Sequence, residues 1–234
     1  MYTNLLQKID RDIAAQLKTL GVGEKRPEKY QFPCITISRE FGCEAIVVSK
    51  LLSEKLSSEE YPWVIFHRQL LFDILDQEGI KKDLEAAINS RFRGMIHQYI
   101  EQLLTHKPTD VEVYKKMAET IRILCARGRS IIIGSGAAIL TSDMQNTLHV
   151  RLQADMEFKI GHVSNHLKIS RKEARKHIEE QDQQREQFIY NFTHKDVHDP
   201  HHYHLVIDNS KFNAEQIVEL IYRSLVLRKL LPEV

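Results

Sequence analysis

Apolar residues are distributed along the chain in two patterns. Five short runs, CITIS (34–38), WVIFH (63–67), SIIIG (130–134), LHVRL (148–152) and HLVID (204–208), are mostly β-branched and nearly continuously apolar. Such runs predict strands covered on both faces. Long segments with helical spacing separate them, and this alternation predicts a mostly parallel five-stranded sheet with helices on both sides, a three-layer α/β/α arrangement. Before the first run, Leu5, Leu6, Ile9, Ile13, Leu17 and Leu20 fall at helical spacing, and Gly21 and Gly23 stop the helix. Residues 1–30 therefore read as an N-terminal helical extension and 31–234 as one domain. The extension either packs on that domain or joins a second copy of it into a homodimer.

Helix boundaries are marked by local chemistry. Ser170 with Glu173, and Asn213 with Gln216, have the spacing of capping boxes, opening helices at SRKEARKHIEEQDQQREQFIYNF and AEQIVELIYRSLVLRKLL. The segment 68–127 reads as mostly helical, and Gly128 is placed to end it just before the third strand.

Composition narrows the function classes. Of 234 residues, 42% are apolar and 28% charged, with 33 basic against 32 acidic residues and a net charge of +1. That balance gives no electrostatic basis for general nucleic-acid binding. No apolar run approaches the roughly 20 residues that cross a bilayer, and the N-terminus lacks a signal-peptide core. Cys34, Cys43 and Cys125 have no metal-type spacing, which suits a reducing cytoplasmic setting.

The chemistry is concentrated where the first strand enters ITISREFGCEAIVVSKLLSEKL: strand, glycine-containing turn, amphipathic helix. Such a turn aims helix N-terminal N–H groups at an anion. Ile37–Ser38–Arg39–Glu40–Phe41–Gly42 resembles the phosphate-loop phrase of the cytidylate-kinase-like family of P-loop proteins. In the same order, WVIFHRQLL, SIIIGSGAAIL, LHVRLQADMEFKIGHV, the lid-like helix with Asp182 and Arg185, and DPHHYHLVIDNS are similar to that family's later elements, so the resemblance covers about residues 34–224. It implies a P-loop nucleoside-monophosphate-kinase fold with a lid at about 155–200. It further implies phosphoryl transfer from ATP, with magnesium, to a nucleotide as small-molecule partner. By position it assigns Ser38, Arg39, Gly42, Cys43 and Lys159 to phosphate binding. His67 and Ser135 fall on the acceptor side, and Arg175, Asp182 and Arg185 take the catalytic lid positions.

The phosphate-handling residues depart from that pattern. Only Gly42 remains of the glycine cluster, followed by Cys43, Glu44 and Ala45. A carboxylate inside the loop repels phosphate by about 4 kcal/mol at 4 Å and an effective dielectric of 20. His67 stands where the resemblance expects Asp, Ser135 where it expects Arg, and Lys159 with His162 where it expects two arginines. Arg39 is also a candidate ion-pair partner of Glu40 or Glu44, and Arg171, Lys172, Arg175 and Lys176 also read as a solvated helix face. Two functions stay open: a weakened nucleotide kinase using ATP and magnesium, or a non-catalytic kinase-fold binding or scaffolding protein without cofactor. A distant third is metal binding by His194, His198, His201, His202 and His204, although their spacing fits no standard motif. His202 and His204 are expected on one face of the last strand.

Overall fold

A computed structural model describes residues 32–68, 71 and 111–231. The expected N-terminal helix, the dimer reading built on it, and most of 68–110 lie outside the described residues. Among those described, five strands form one sheet: β1 (Cys34–Arg39), β2 (Val64–His67), β3 (Ser130–Ile133), β4 (Thr147–Gln153) and β5 (Leu205–Asp208). Their order is β2-β3-β1-β4-β5 and every pairing is parallel. The helices are α1 (Ala45–Leu56), α2 (Val111–Arg127), α3 (Ala137–Leu140), α4 (Met156–Leu167), α5 (Arg171–Thr193) and α6 (Ala214–Leu227), with a 3-10 turn at Pro200–His202. None of them is long and apolar enough to cross a membrane. The three-layer α/β/α architecture expected from the alternation of runs is the one observed.

Both faces of the sheet are covered, which explains the near-continuous apolar runs. Ile35, Ile37, Ile131, Ile133, Leu148, Val150 and Leu152 point to one side, where Val48 and Leu52 of α1 and Ile217 and Ile221 of α6 meet them. Cys34, Phe66 and Ile132 point to the other, against Met117, Ile121 and Leu124 of α2. Cys34 and Cys125 are fully buried there as free thiols, their sulfurs 2.6 Å apart. Ser170–Glu173 and Asn213–Gln216 make both halves of their capping boxes. A third, smaller core joins α4 to α5 through Ile160, Val163, Ala174 and Ile178, and Phe41 packs against it from the loop after β1.

The second face is not apolar throughout. Strand alternation puts Thr36 and Ser38 of β1 beside His149 and Arg151 of β4, all on the side opposite Ile37 and Val150. His149 Nδ1 lies 2.8 Å from Thr36 Oγ1 and its Nε2 3.1 Å from Thr147 Oγ1. Its ring stacks on His204, whose Nδ1 accepts the His149 backbone N–H at 2.8 Å. His202 lies in the 3-10 turn and β5 begins at Leu205, so the expected sharing of a strand face by His202 and His204 does not occur.

This pair makes stability fall in acid. Burial, then the neighbouring His204 and Arg228, lowers the His149 pKa to about 3; burial and Arg228 lower that of His204 to about 4. Both start from about 6.5 in the unfolded chain, so below that pH the unfolded state binds more protons. Stability should hold above about pH 7 and decline progressively from about pH 6.5 toward 4. Urea midpoints measured across that range check it, and His204→Asn, which keeps an acceptor at the Nδ1 position, should flatten part of the slope.

Candidate active site

At the strand order reversal the carboxyl ends of β1, β3 and β4 open a crevice, the usual place for a ligand in an open α/β sheet. A cavity of about 270 Å³ occupies it, roofed by α5. Arg39, Arg68, Arg151 and Arg185 all line it, with Ser38, Ser135 and Asp182.

The loop after β1 is held by side chains of α4, α5 and the turn after β5. Phe41 donates its backbone N–H to Asp182 Oδ1 at 2.6 Å. Lys159, almost fully buried, reaches Glu40 at 2.9 Å and Asp182 at 3.5 Å. Burial opposes the Lys159 charge, but Glu40, with Asp182 behind it, raises its pKa overall. Burial likewise raises the Asp182 carboxyl, against the pull of the Phe41 N–H, Lys159 and Arg185. At the far end of the loop, Asn209 accepts the Glu44 N–H at 2.7 Å and donates to Glu44 Oε2 at 3.2 Å, while His162 stands 3.9 Å from Glu44. Gly42 has φ +96°, and a Cβ there would come within 3.0 Å of Lys159 Cβ, so α4 leans directly on the loop.

Arg39 crosses the cavity. Its guanidinium covers the turn after β3, where a Cβ on Gly134 would collide with Nη1. Neither Glu40 nor Glu44 pairs with it; Glu40 goes to Lys159 and Glu44 to Asn209. Arg39 makes no hydrogen bond or ion pair with any described residue, and it is partly buried. Burial and then the facing Arg185 lower its pKa to about 10. In the turn beneath it, the Ser135 hydroxyl is buried without a hydrogen-bond partner among the described residues, and so is the Tyr114 hydroxyl close to Gly136. Gly134, Ser135 and Gly136 all have positive φ.

The residues assigned from the sequence therefore divide. Ser38, Arg39, Ser135, Asp182 and Arg185 meet at the cavity. Gly42, Cys43 and Lys159 form the back of the loop, and burial followed by the Glu40 carboxylate pushes the Cys43 thiol up to about 12, so it is not activated. His67 is exposed at the end of β2, two strands from β1, and does not line the cavity. Arg175 lies on the same side of α5 as Asp182 but seven residues earlier, about 10 Å along the axis. There it faces Glu157 at 3.5 Å, as Lys176 faces Glu180. Arg185 sits 3.5 Å from Asp182 and 5.2 Å over the Phe41 ring.

The histidines disperse. His194 ends α5, His201 pairs with Asp199, His204 stacks on His149, and His198 bridges Arg151 and Glu186. Among the described residues no three His, Cys, Asp or Glu side chains gather as a metal site would require. Arg151, Tyr203 and Asn209 are site residues that the sequence reading did not assign, and His198 was named there only as a candidate metal ligand. In LHVRL, strict alternation of Leu148, Val150 and Leu152 with His149 and Arg151 was the signal for the first of them.

Comparison with known proteins agrees with this fold. A solved structure described as an uncharacterized protein from Eubacterium ventriosum ATCC 27560 superposes with a TM-score of 0.64, at 17% sequence identity, over 83% of this chain and 98% of its own. Among curated proteins nothing matches. The family model for the cytidylate kinase-like family matches residues 34–211. Together with the parallel sheet, the crevice at its switch point and the loop–helix after β1, this match covers most of the chain, which belongs to the cytidylate kinase-like family.

Proposed function

We propose that this protein binds a phosphorylated small molecule, a nucleoside monophosphate in the first instance, in the cavity under α5, and that it does not transfer phosphate from ATP. The observation that carries the reading is Arg39: a partly buried guanidinium with no hydrogen bond or ion pair among the described residues, facing Arg185 and lying over the turn whose Ser135 hydroxyl is buried without a hydrogen-bond partner among them. Keeping a buried charge without a partner is costly, and an oxyanion supplies the missing one with charge-assisted hydrogen bonds.

Family membership implies ATP and magnesium, and the residues present do not fit them. The Phe41 N–H that could meet a phosphate oxygen is taken by Asp182, and the Glu44 carboxylate stands in the turn. Neither flanking hydroxyl is free for a metal: Ser49 Oγ donates to Ala45 O within α1, and Ser38 Oγ is tied to Arg151 and Tyr203. A triphosphate would add negative charge to a wall that already holds Glu40, Glu44 and Asp182. One feature favours the kinase reading, the Asp182–Arg185 pair on the lid helix at the cavity mouth.

Calorimetric titration separates the two. Cytidine monophosphate should bind without magnesium, and ATP with magnesium should bind neither the wild type nor Glu44→Gly. Tight magnesium-dependent binding of ATP by the wild type would establish the kinase reading instead. No heat with any nucleotide, from folded protein, would remove the binding reading as well.

A further inference from the structure

Cys34 and Cys125 are buried nucleophiles that the cavity does not use. Both are fully buried on the α2 side of the sheet. Their sulfurs lie 2.6 Å apart, nearer to the roughly 2.05 Å of an S–S bond than to the contact distance of two packed thiols. One residue holds both backbones in that relation. Asn146 O accepts the Cys34 N–H at 2.9 Å, and Asn146 Nδ2 donates to Cys125 O at 2.8 Å and to Phe32 O at 2.9 Å. One step further out, Pro33 O accepts the Arg129 N–H at 2.7 Å, which ties the chain before β1 to the turn between α2 and β3. The approach of the sulfurs therefore rests on main chain that is fixed on both sides. Cys43 is out of reach, since it follows the other end of β1, about 16 Å of strand away.

We propose that Cys34 and Cys125 are a modification site, a dithiol that oxidises to an intramolecular disulfide joining β1 to α2. The oxidant is a small-molecule disulfide of the glutathione class. One cysteine gives up its proton and attacks a sulfur of that reagent, forming a mixed disulfide and releasing a small thiolate that takes up the proton. The sulfur of the second cysteine then attacks the protein sulfur of the mixed disulfide, and the remaining small thiolate leaves and takes the second proton. The cysteine pair loses two electrons and two protons, and the reagent gains both as two thiols. Burial, followed by the adjacent Cys125 thiol, holds the Cys34 thiol well above its ordinary range, so the first attack waits for the end of α2 to open. The bond closes a loop from residue 34 to residue 125, which contains α1 and β2. A crosslink over so long a loop restricts the unfolded chain strongly, while the folded chain needs little adjustment to accept it. The pair lies at the N-terminal end of β1, opposite the cavity, and does not depend on what the cavity binds.

The test exposes the full-length protein to oxidised glutathione at about pH 8, where thiol exchange is fast. Remaining thiols are blocked with N-ethylmaleimide in denaturant, and proteolytic peptides are read by mass spectrometry. A second sample is refolded from urea in the same redox mixture, so that burial no longer limits access. The peptides of Cys34 and Cys125 should be recovered joined, with the loss of two hydrogens and with Cys43 outside the link, and dithiothreitol should restore both thiols. The joined form should melt roughly 5–10 °C above the reduced one. Oxidised and reduced samples of Cys34→Ala should melt together, as should those of Cys125→Ala. Recovery of both cysteines unlinked to each other by both routes, whether blocked singly or held as mixed disulfides, overturns the proposal. So does a crosslink to Cys43 in its place, or a joined form that melts at or below the reduced protein, because the backbone is then not set for the bond.

Discussion

Replacing Arg39 with Met should raise the melting temperature while removing nucleotide monophosphate binding. The two effects share one cause. In the free protein the guanidinium is partly desolvated, faces Arg185 and has no hydrogen-bonded partner among the described residues, and the more distant Asp182 offsets only part of that. A methionine of comparable length fills the space over Gly134 without that charge. We expect about 1 kcal/mol of added stability, a rise of roughly 2–4 °C for a domain of this size. Loss of a charge-assisted contact should cost the ligand about 2 kcal/mol, on the order of 30-fold in affinity. Thermal denaturation and calorimetry on the same samples check both. A lower melting temperature would mean that Arg39 is a structural residue and would withdraw the observation on which the binding reading stands.

Asp182→Ala should have the opposite sign on stability. The carboxylate accepts the Phe41 N–H, faces Lys159 and Arg185, and so ties α5 to both the loop and α4. Removing it leaves a loop N–H without its acceptor and leaves Lys159 to Glu40 alone. For a half-buried pair we expect about 2–3 kcal/mol of destabilisation. Asp182→Asn keeps an acceptor for Phe41 and should cost about half as much. Urea unfolding gives the totals, and exchange of the Phe41 amide reports the hydrogen bond directly. A loss below about 0.5 kcal/mol for the alanine variant, the ordinary range of a surface substitution, would show that Asp182 is not holding the loop.

The elements of this fold were legible because each is written locally. Five apolar runs and two capping boxes need only near neighbours, and they fall where the strands and helices are. The candidate site was harder to see, since its contacts join residues far apart in sequence. Asn209 meets Glu44 across the sheet, and nothing in DNS announces it. In the sequence Arg39 stands beside Glu40 and Glu44, whereas its guanidinium lies over Gly134 and the two carboxylates go to Lys159 and Asn209. LHVRL was taken as a buried apolar run, and its two polar residues are the ones that give the far face of β4 its chemistry. Within the His-rich segment spacing excluded a metal motif, but only the tertiary partners distinguish His198 from the rest.

Phe41 leaves the loop to pack in the small core shared by α4 and α5. Floor and roof of the cavity are therefore joined through one apolar side chain as well as through Asp182. Whatever loosens Phe41 in its apolar contacts therefore loosens the loop and the roof together.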